Sequence, residues 1–105
     1  METKPVELPL EKIASFCRKW DIRELSLFGS ALRADFQPES DIDFLVTFGP
    51  QTRYSLLDVI RIQNELSALV GRDVDLAERS AVEASENYIR RRHILSTARR
   101  IYVAG

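Results

Sequence analysis

The spacing of apolar residues along the chain alternates between the helical period and the shorter pattern of β-strands. In "LEKIASFCRKW", apolar residues recur every three or four positions, which predicts an amphipathic helix after Pro9. "IRELSLFG" is rich in large apolar residues and ends at a glycine, which predicts a strand followed by a turn. By the same criteria we predict, in chain order, a short helix over "SALRADF", a strand over "DIDFLVTF", a helix over "SLLDVIRIQNELSALVG" and a strand over "DVDLAE".

The last part of the chain also has a helical pattern. Apolar residues from Ala84 to Val103 recur at helical spacing, so we predict one helix over this whole segment. The resulting order is α-β-α-β-α-β-α. It indicates an α/β (α+β) fold in which helices cover a sheet of at least three strands. A chain of 105 residues accommodates a single domain, and we assign residues 1–105 to it.

Charge and composition narrow the range of functions. Charged residues make up 30% of the chain, but the formal net charge is only −1, so a general nucleic-acid-binding role is not expected. Cys17, the single cysteine, lies on an apolar helix face, which favours a small buried residue over a nucleophile. No apolar run approaches the ~20 residues of a membrane span, and "METKPVELPL" lacks the apolar core of a signal peptide. We therefore expect a cytoplasmic protein.

Aspartates stand at the start of two of the predicted strands. Asp41 and Asp43 are two residues apart in "SDIDFLV", so their side chains point to one face of the strand and Ile42 points to the other. In "RDVDLAE", Asp73 and Asp75 alternate with core-forming residues in the same way, and Asp75 lies deeper in the strand. If the two strands are neighbours, the carboxylates of Asp41, Asp43 and Asp75 converge.

Carboxylates this close repel one another unless a cation lies between them. Oxygen ligands favour Mg²⁺ or Mn²⁺ over zinc, and three carboxylates on two strands are able to hold two Mg²⁺ ions around a transferring phosphoryl group. In that arrangement Asp75 would help to take the proton from an incoming hydroxyl. The competing interpretation of an isolated Asp-x-Asp is a polar strand entry on an exposed sheet face.

A candidate phosphate-binding turn precedes the first pair of acids. Gly29 and Ser30 stand where a predicted strand ends and a predicted helix begins. Glycine lets the backbone approach a phosphate closely, and a helix N-terminus presents unpaired N–H groups to an anion. Ser30 adds a hydroxyl donor, and Arg33 adds a charged donor one turn later. A Gly-Ser pair alone is common, but here it is followed closely by the Asp-x-Asp pair.

The combination "LFGSALR…DFQPESDIDFLVTF…RDVDLAE" resembles the minimal nucleotidyltransferases, called MNT, of the DNA polymerase beta superfamily. The family pattern is a Gly-Ser turn heading a short helix, then Asp-x-Asp on a strand, then one Asp on a later strand. These features correspond here to Gly29, Ser30, Asp41, Asp43 and Asp75. The resemblance implies a nucleotidyltransferase fold with a small mixed sheet, three aspartates that ligate two Mg²⁺ ions, and ATP as the donor substrate.

The resemblance also implies a biological role. In the better understood members of the family, the MNT protein is the antitoxin of a toxin–antitoxin pair and transfers AMP from ATP to a tyrosine of a partner HEPN toxin. We therefore expect an enzyme that forms an oligomeric complex with such a toxin, and Gly29, Ser30 and Arg33 are the expected nucleotide-binding residues. Two alternatives stay open: an antitoxin that neutralises its toxin by binding alone, and nucleotidyl transfer to a small molecule or to a nucleic-acid end.

Basic residues are concentrated near the C-terminus, in "RRRHILSTARR". The simpler interpretation is a solvated helix face whose cations complement the helix dipole. The other is a basic edge that meets an acidic partner or nucleotide phosphates. Arg53 and Tyr54 follow the turn after the second predicted strand. Tyr54 either packs on the core or stacks on a base, and Arg53 is a candidate contact for phosphate.

Overall fold

The computed structural model describes residues 8–29 and 41–104 of the chain, which form four helices and four strands. The predicted short helix "SALRADF", with Ser30 and Arg33, lies outside the described residues. In chain order the elements are α1 (Leu10–Lys19), β1 (Ile22–Phe28), β2 (Ile42–Phe48), α2 (Leu56–Val70), β3 (Val74–Glu78), α3 (Arg79–Glu83), α4 (Tyr88–Thr97) and β4 (Arg99–Val103).

The strands form one mixed sheet in the order β3-β2-β1-β4. Strand β1 pairs antiparallel with both β2 and β4, whereas β2 and β3 run parallel. A parallel pair needs a crossover connection, and α2 provides it between β2 and β3. The predicted fold class, a small mixed sheet of at least three strands covered by helices, is therefore confirmed.

The main hydrophobic core lies between the sheet and the helices α1 and α2. Its buried members come from these two helices and from one face of each of three strands: Ile13, Phe16, Cys17, Ile22, Leu25, Leu27, Ile42, Phe44, Val46, Ile62, Leu66 and Val74. Burial of each large apolar side chain contributes roughly 1.5–3 kcal/mol. Burial also raises the pKa of the Cys17 thiol to about 12, which fits the predicted structural role of this cysteine.

The opposite face of the sheet carries a smaller core under α3 and α4. Phe28, Leu45 and Ile94 are its buried residues, and Val82 and Leu95 pack against them. This core is much smaller than the first, so part of this sheet face is left for polar side chains. Asp43 and Asp75 lie at one end of this face.

Local signals explain where α2 begins and ends. The Ser55 side chain accepts a hydrogen bond from the Asp58 backbone N–H, and the Asp58 carboxylate accepts one from the Ser55 backbone N–H. This reciprocal capping box satisfies donors that the first helical turn leaves unpaired. Gly71 ends the helix in a left-handed conformation at φ 75°. The sequence predicted both ends.

The predicted helix from Ala84 to Val103 is wrong at both of its ends. Helix α4 covers only Tyr88–Thr97, and Arg99–Val103 forms the strand β4. Ala98 leaves the helix with an extended ψ of 132°, after which β4 pairs with β1 and places Ile101 and Tyr102 against the main core. Tertiary pairing of "RRIYV", which is rich in strand-forming residues, overrides its helical spacing.

No helix within residues 8–29 and 41–104 is both long enough and apolar enough to cross a membrane.

The strand assignment of β4 predicts different costs for substitutions at two adjacent residues. Tyr102 packs against the main core, whereas the Val103 side chain is 51% exposed. We expect Tyr102→Ala to lower the free energy of unfolding by about 2 kcal/mol and Val103→Ala to lower it by less than about 0.5 kcal/mol. Chemical denaturation of both variants measures the difference, and equal losses would contradict this packing.

Candidate functional site

Two of the predicted acids lie side by side in the sheet. In the parallel pairing of β2 with β3, Asp43 is the direct partner of Asp75, and in the antiparallel pairing with β1 it is the partner of Phe28. Neighbouring strands are separated by about 4.8 Å, so the Asp43 and Asp75 backbones are next to each other. Asp75 is exposed and Asp43 is half-buried. Because two rigid strands carry them, their relative position is set by the sheet register.

The orientation of Asp43 follows from the alternation of side chains along β2. Ile42 and Phe44, its immediate neighbours, are completely buried in the main core. Asp43 therefore belongs to the opposite face, the one on which Leu45 packs against Phe28. The burial pattern agrees with the expectation that Ile42 points to one face of β2 and Asp43 to the other.

Gly29 directly follows β1 and lies against the Asp43 carboxylate. Its φ is +70°, in the left-handed region that side-chain-bearing residues rarely adopt. A Cβ added at Gly29 would stand 2.5 Å from Asp43 Oδ2 and 3.4 Å from Asp43 Cγ, so a larger residue would clash with this carboxylate. The backbone conformation thus favours glycine here, and any side chain at this position would displace the Asp43 carboxylate. Ser30 and Arg33, the other predicted members of the turn, lie outside the described residues.

Asp41 directly precedes β2 and is exposed. Next to it, the Ile42 N–H donates a 3.0 Å hydrogen bond to the Asp73 carbonyl, which ties the starts of β2 and β3 together. In the part of the chain that the structure describes, no three His, Cys, Asp or Glu side chains come close enough together to hold a metal ion. The structure thus places Asp43 and Asp75 opposite each other on adjacent strands. The convergence of all three carboxylates on a metal stays a prediction.

The chemistry of the paired residues suits a hard divalent cation. Asp43 and Asp75 offer only oxygen donors, which Mg²⁺ prefers, and these donors come from adjacent strands. The Asp43 carboxylate lies beside the position that a Cβ at residue 29 would occupy, so the absence of a side chain at Gly29 leaves room for it. The residues present therefore fit a magnesium site in donor type and in backbone position.

Tyr54 serves the core and not the candidate site. Its hydroxyl donates a 2.6 Å hydrogen bond to the Trp20 carbonyl, and its ring makes edge-to-face contacts with Trp20 and Phe48. The pKa of Tyr54 is raised, first by burial and then by the nearby acids Asp21 and Asp58. Of the two alternatives given by the sequence, the structure supports packing on the core.

One feature of this region was not predicted from the sequence. A cavity of about 570 Å³ lies beside the edge strand β3, and it is bordered by the start of α2, by α3 and by α4. We call it the β3 groove; Leu56, Ala77, Glu78, Val82, Arg90 and Arg91 are among its lining residues. These residues come from α2 and from the three consecutive elements β3, α3 and α4, and only their packing brings them together, so no local pattern marks them as one surface.

Comparison with known proteins gives the family. A family model described as the nucleotidyltransferase domain matches residues 10–99, which include Gly29, Asp41, Asp43 and Asp75. The protein adenylyltransferase MntA of Thermococcus cleftensis is 36% identical over 66 residues, which are 63% of this chain and 65% of that protein. The chain spans about two thirds of the length of the curated relatives it matches.

Solved structures share the fold. A chain from a crystal structure of the toxin-antitoxin with AMP-PNP superimposes with a TM-score of 0.70 at 18% identity, over 92% of this chain and 75% of that one. A chain from the tri-AMPylated Shewanella oneidensis HEPN toxin in complex with MNT antitoxin gives a TM-score of 0.60 at 16% identity, over 90% and 70%. At these identities the superpositions establish the fold alone.

The resemblance to nucleotidyltransferases that the Gly-Ser and Asp-x-Asp pattern indicated is thereby confirmed, as is the expectation of an enzyme family. The match extends over most of the chain and includes both strands that carry the paired acids. This chain belongs to the nucleotidyltransferase domain family.

Proposed function

We propose that this chain is an Mg²⁺-dependent nucleotidyltransferase that transfers AMP from ATP to a tyrosine hydroxyl of a partner HEPN toxin, and thereby acts as the antitoxin. The observation that carries the proposal is the juxtaposition of Gly29, Asp43 and Asp75 at one end of the sheet. The names of the similar proteins support the reaction and the partner, because they include a protein adenylyltransferase and an AMPylated HEPN toxin with its MNT antitoxin.

The site residues have two roles in this proposal, metal binding and phosphate binding. Asp41, Asp43 and Asp75 would hold two Mg²⁺ ions, which when bound would neutralise the triphosphate and favour ionisation of the attacking hydroxyl. The backbone at Gly29, the Ser30 hydroxyl and the Arg33 guanidinium would bind the phosphates of ATP. Residues 1–105 would act as one domain in the cytoplasm.

The transfer itself is a displacement at the α-phosphorus of ATP. The acceptor hydroxyl oxygen attacks this phosphorus and forms a new phosphorus–oxygen bond, while the bond to the oxygen that bridges the α- and β-phosphates breaks. Pyrophosphate leaves with the electron pair of the broken bond, and the hydroxyl proton passes to the Asp75 carboxylate. Asp75 is exposed, so a hydroxyl carried by another protein is able to reach it.

A labelling experiment tests the assignment of the acids. The purified chain is incubated with Mg²⁺, ATP labelled at the α-phosphate, and the HEPN protein encoded in the adjacent reading frame. We expect the wild-type chain to label that protein, and Asp43→Asn and Asp75→Asn each to reduce the rate by about 100-fold or more, because each removes a charged oxygen donor. Asp73→Asn, a matched change two residues from Asp75, is expected to leave the rate within about threefold.

The alternatives give different results in the same experiment. If the wild type labels nothing while Asp43→Asn protects cells from the toxin as well as the wild type does, the chain neutralises by binding alone. Label that appears on a small molecule or a nucleic-acid end would contradict the protein acceptor. The absence of a HEPN reading frame beside this one would contradict the proposed partner.

Gly29→Ala tests the close approach to Asp43, with Gly71→Ala as its control. Both glycines have a positive φ, so each substitution should cost about 1 kcal/mol of stability. Only at Gly29 would the new methyl group meet the Asp43 carboxylate, since nothing lies within 4 Å of a Cβ at Gly71. We expect Gly29→Ala to reduce AMP transfer at least tenfold and Gly71→Ala to leave it nearly unchanged; equal transfer rates would refute the role of Gly29.

A further inference from the structure

The β3 groove is an apolar depression next to the paired acids. Its floor includes Leu76 and Ala77 of β3, and its walls include Leu56 and Val59 of α2 and Val82 of α3. None of the acids assigned to the transfer lines it. The groove therefore has no role in the proposed chemistry itself, and its apolar lining needs another explanation.

Exposed apolar side chains are concentrated on two of the three helices that border this groove, α2 and α4. Seven large hydrophobic residues among residues 8–29 and 41–104 are exposed, and five of them lie in the N-terminal parts of α2 and α4. These five are Leu56, Leu57, Ile60, Tyr88 and Ile89. Leu56 is the one of the five that lines the groove. Exposed apolar side chains around an apolar depression are typical of a surface that contacts another protein.

The charge of the groove favours an acidic occupant. Arg90 and Arg91 line it, against one lining acid, Glu78. The Arg91 guanidinium is held over the Tyr88 ring at 5.4 Å and donates a 2.9 Å hydrogen bond to the Ser85 carbonyl, so it is fixed at the rim. Arg90 is exposed. A partner with acidic side chains beside an apolar segment would match this distribution.

The groove leads directly to the candidate site. Ala77 is two residues after Asp75 on β3, so both belong to the same sheet face and are separated by roughly 6.6 Å along the strand. A segment that lies in the groove would therefore hold its neighbouring residues beside Asp75. Such a segment would bring an acceptor hydroxyl to the carboxylate that receives its proton.

We propose that the β3 groove is the docking site for the acceptor protein, and that it binds an apolar segment of that protein flanked by acidic side chains. This inference rests on the proposed function for the identity of the acceptor, and it locates the surface that recognises it. Binding in the groove orders the acceptor hydroxyl next to Asp75, so docking and transfer use adjoining surfaces of β3.

The test measures binding separately from transfer. The dissociation constant for the HEPN protein of the adjacent reading frame is determined by calorimetry without ATP and with EDTA. We expect Leu56→Glu and Arg90→Glu each to raise this constant by about tenfold or more, because one places a charge in the apolar lining and the other reverses a rim charge. We expect Asp43→Asn to leave it unchanged.

The control variants match the groove variants in helix position. Leu56 is the first residue of α2 and Arg90 the third of α4; Leu10 and Lys12 are the first and third of α1. Leu56 and Leu10 are 76% and 57% exposed, and an acid in the first turn of a helix is favourable, so all four variants should fold. We expect Leu10→Glu and Lys12→Glu to bind within about twofold of the wild type.

The possible results separate the two proposals. Unchanged binding by both groove variants, or no binding by the wild type, would overturn the docking assignment. Loss of binding in the groove variants together with no AMP transfer by the wild type would overturn the proposed reaction but support the docking site. Equal losses in the groove and control variants would show a general charge effect and would also overturn the docking assignment.

Discussion

The simultaneous pairing of β2 with β1 and β3 is the constraint on which the rest of this structure depends. This strand brings Phe28, Asp43 and Asp75 into one row across three strands. The buried neighbours Ile42 and Phe44 hold the other side of β2 in the main core. A shift of β2 by one residue relative to its neighbours would move Asp43 into that core, where an unpaired carboxylate is strongly unfavourable. The packing of the core and the position of the acid are thus determined by the same register.

The two faces of the sheet have different roles. One is covered by α1 and α2 and contains most of the large buried side chains among the described residues, which stabilise the strands. The other has only the small core around Phe28, Leu45 and Ile94. The acids and the β3 groove adjoin this smaller core, where polar side chains and open apolar surface are accommodated because the opposite face maintains the fold.

Local sequence patterns predicted the ends of elements that are set by neighbouring residues. They missed the strand, the register and the groove that depend on contacts between distant residues. The apolar spacing of "SLLDVIRIQNELSALVG" and its terminal glycine predicted α2 almost to the residue, and the capping box at Ser55 shows that its start is also fixed locally. Strand β4 was mistaken for a helix because its conformation depends on pairing with β1, about 75 residues earlier. The aspartates were recognised from their pattern, but their pairing required the parallel register, and the β3 groove required four elements to meet. The close approach of Gly29 to Asp43 also depends on this tertiary arrangement.

We propose that Asp43 belongs to a site that binds ATP together with a divalent cation. Calorimetric titration with a non-hydrolysable ATP analogue tests it most directly, because binding is observed without an acceptor and without turnover. We predict that the wild-type chain binds the analogue in Mg²⁺, and that binding weakens at least tenfold both in EDTA and in Asp43→Asn, whose unfolding free energy should stay close to that of the wild type. Equal affinity with and without Mg²⁺, or full affinity in the asparagine variant, would contradict the claim.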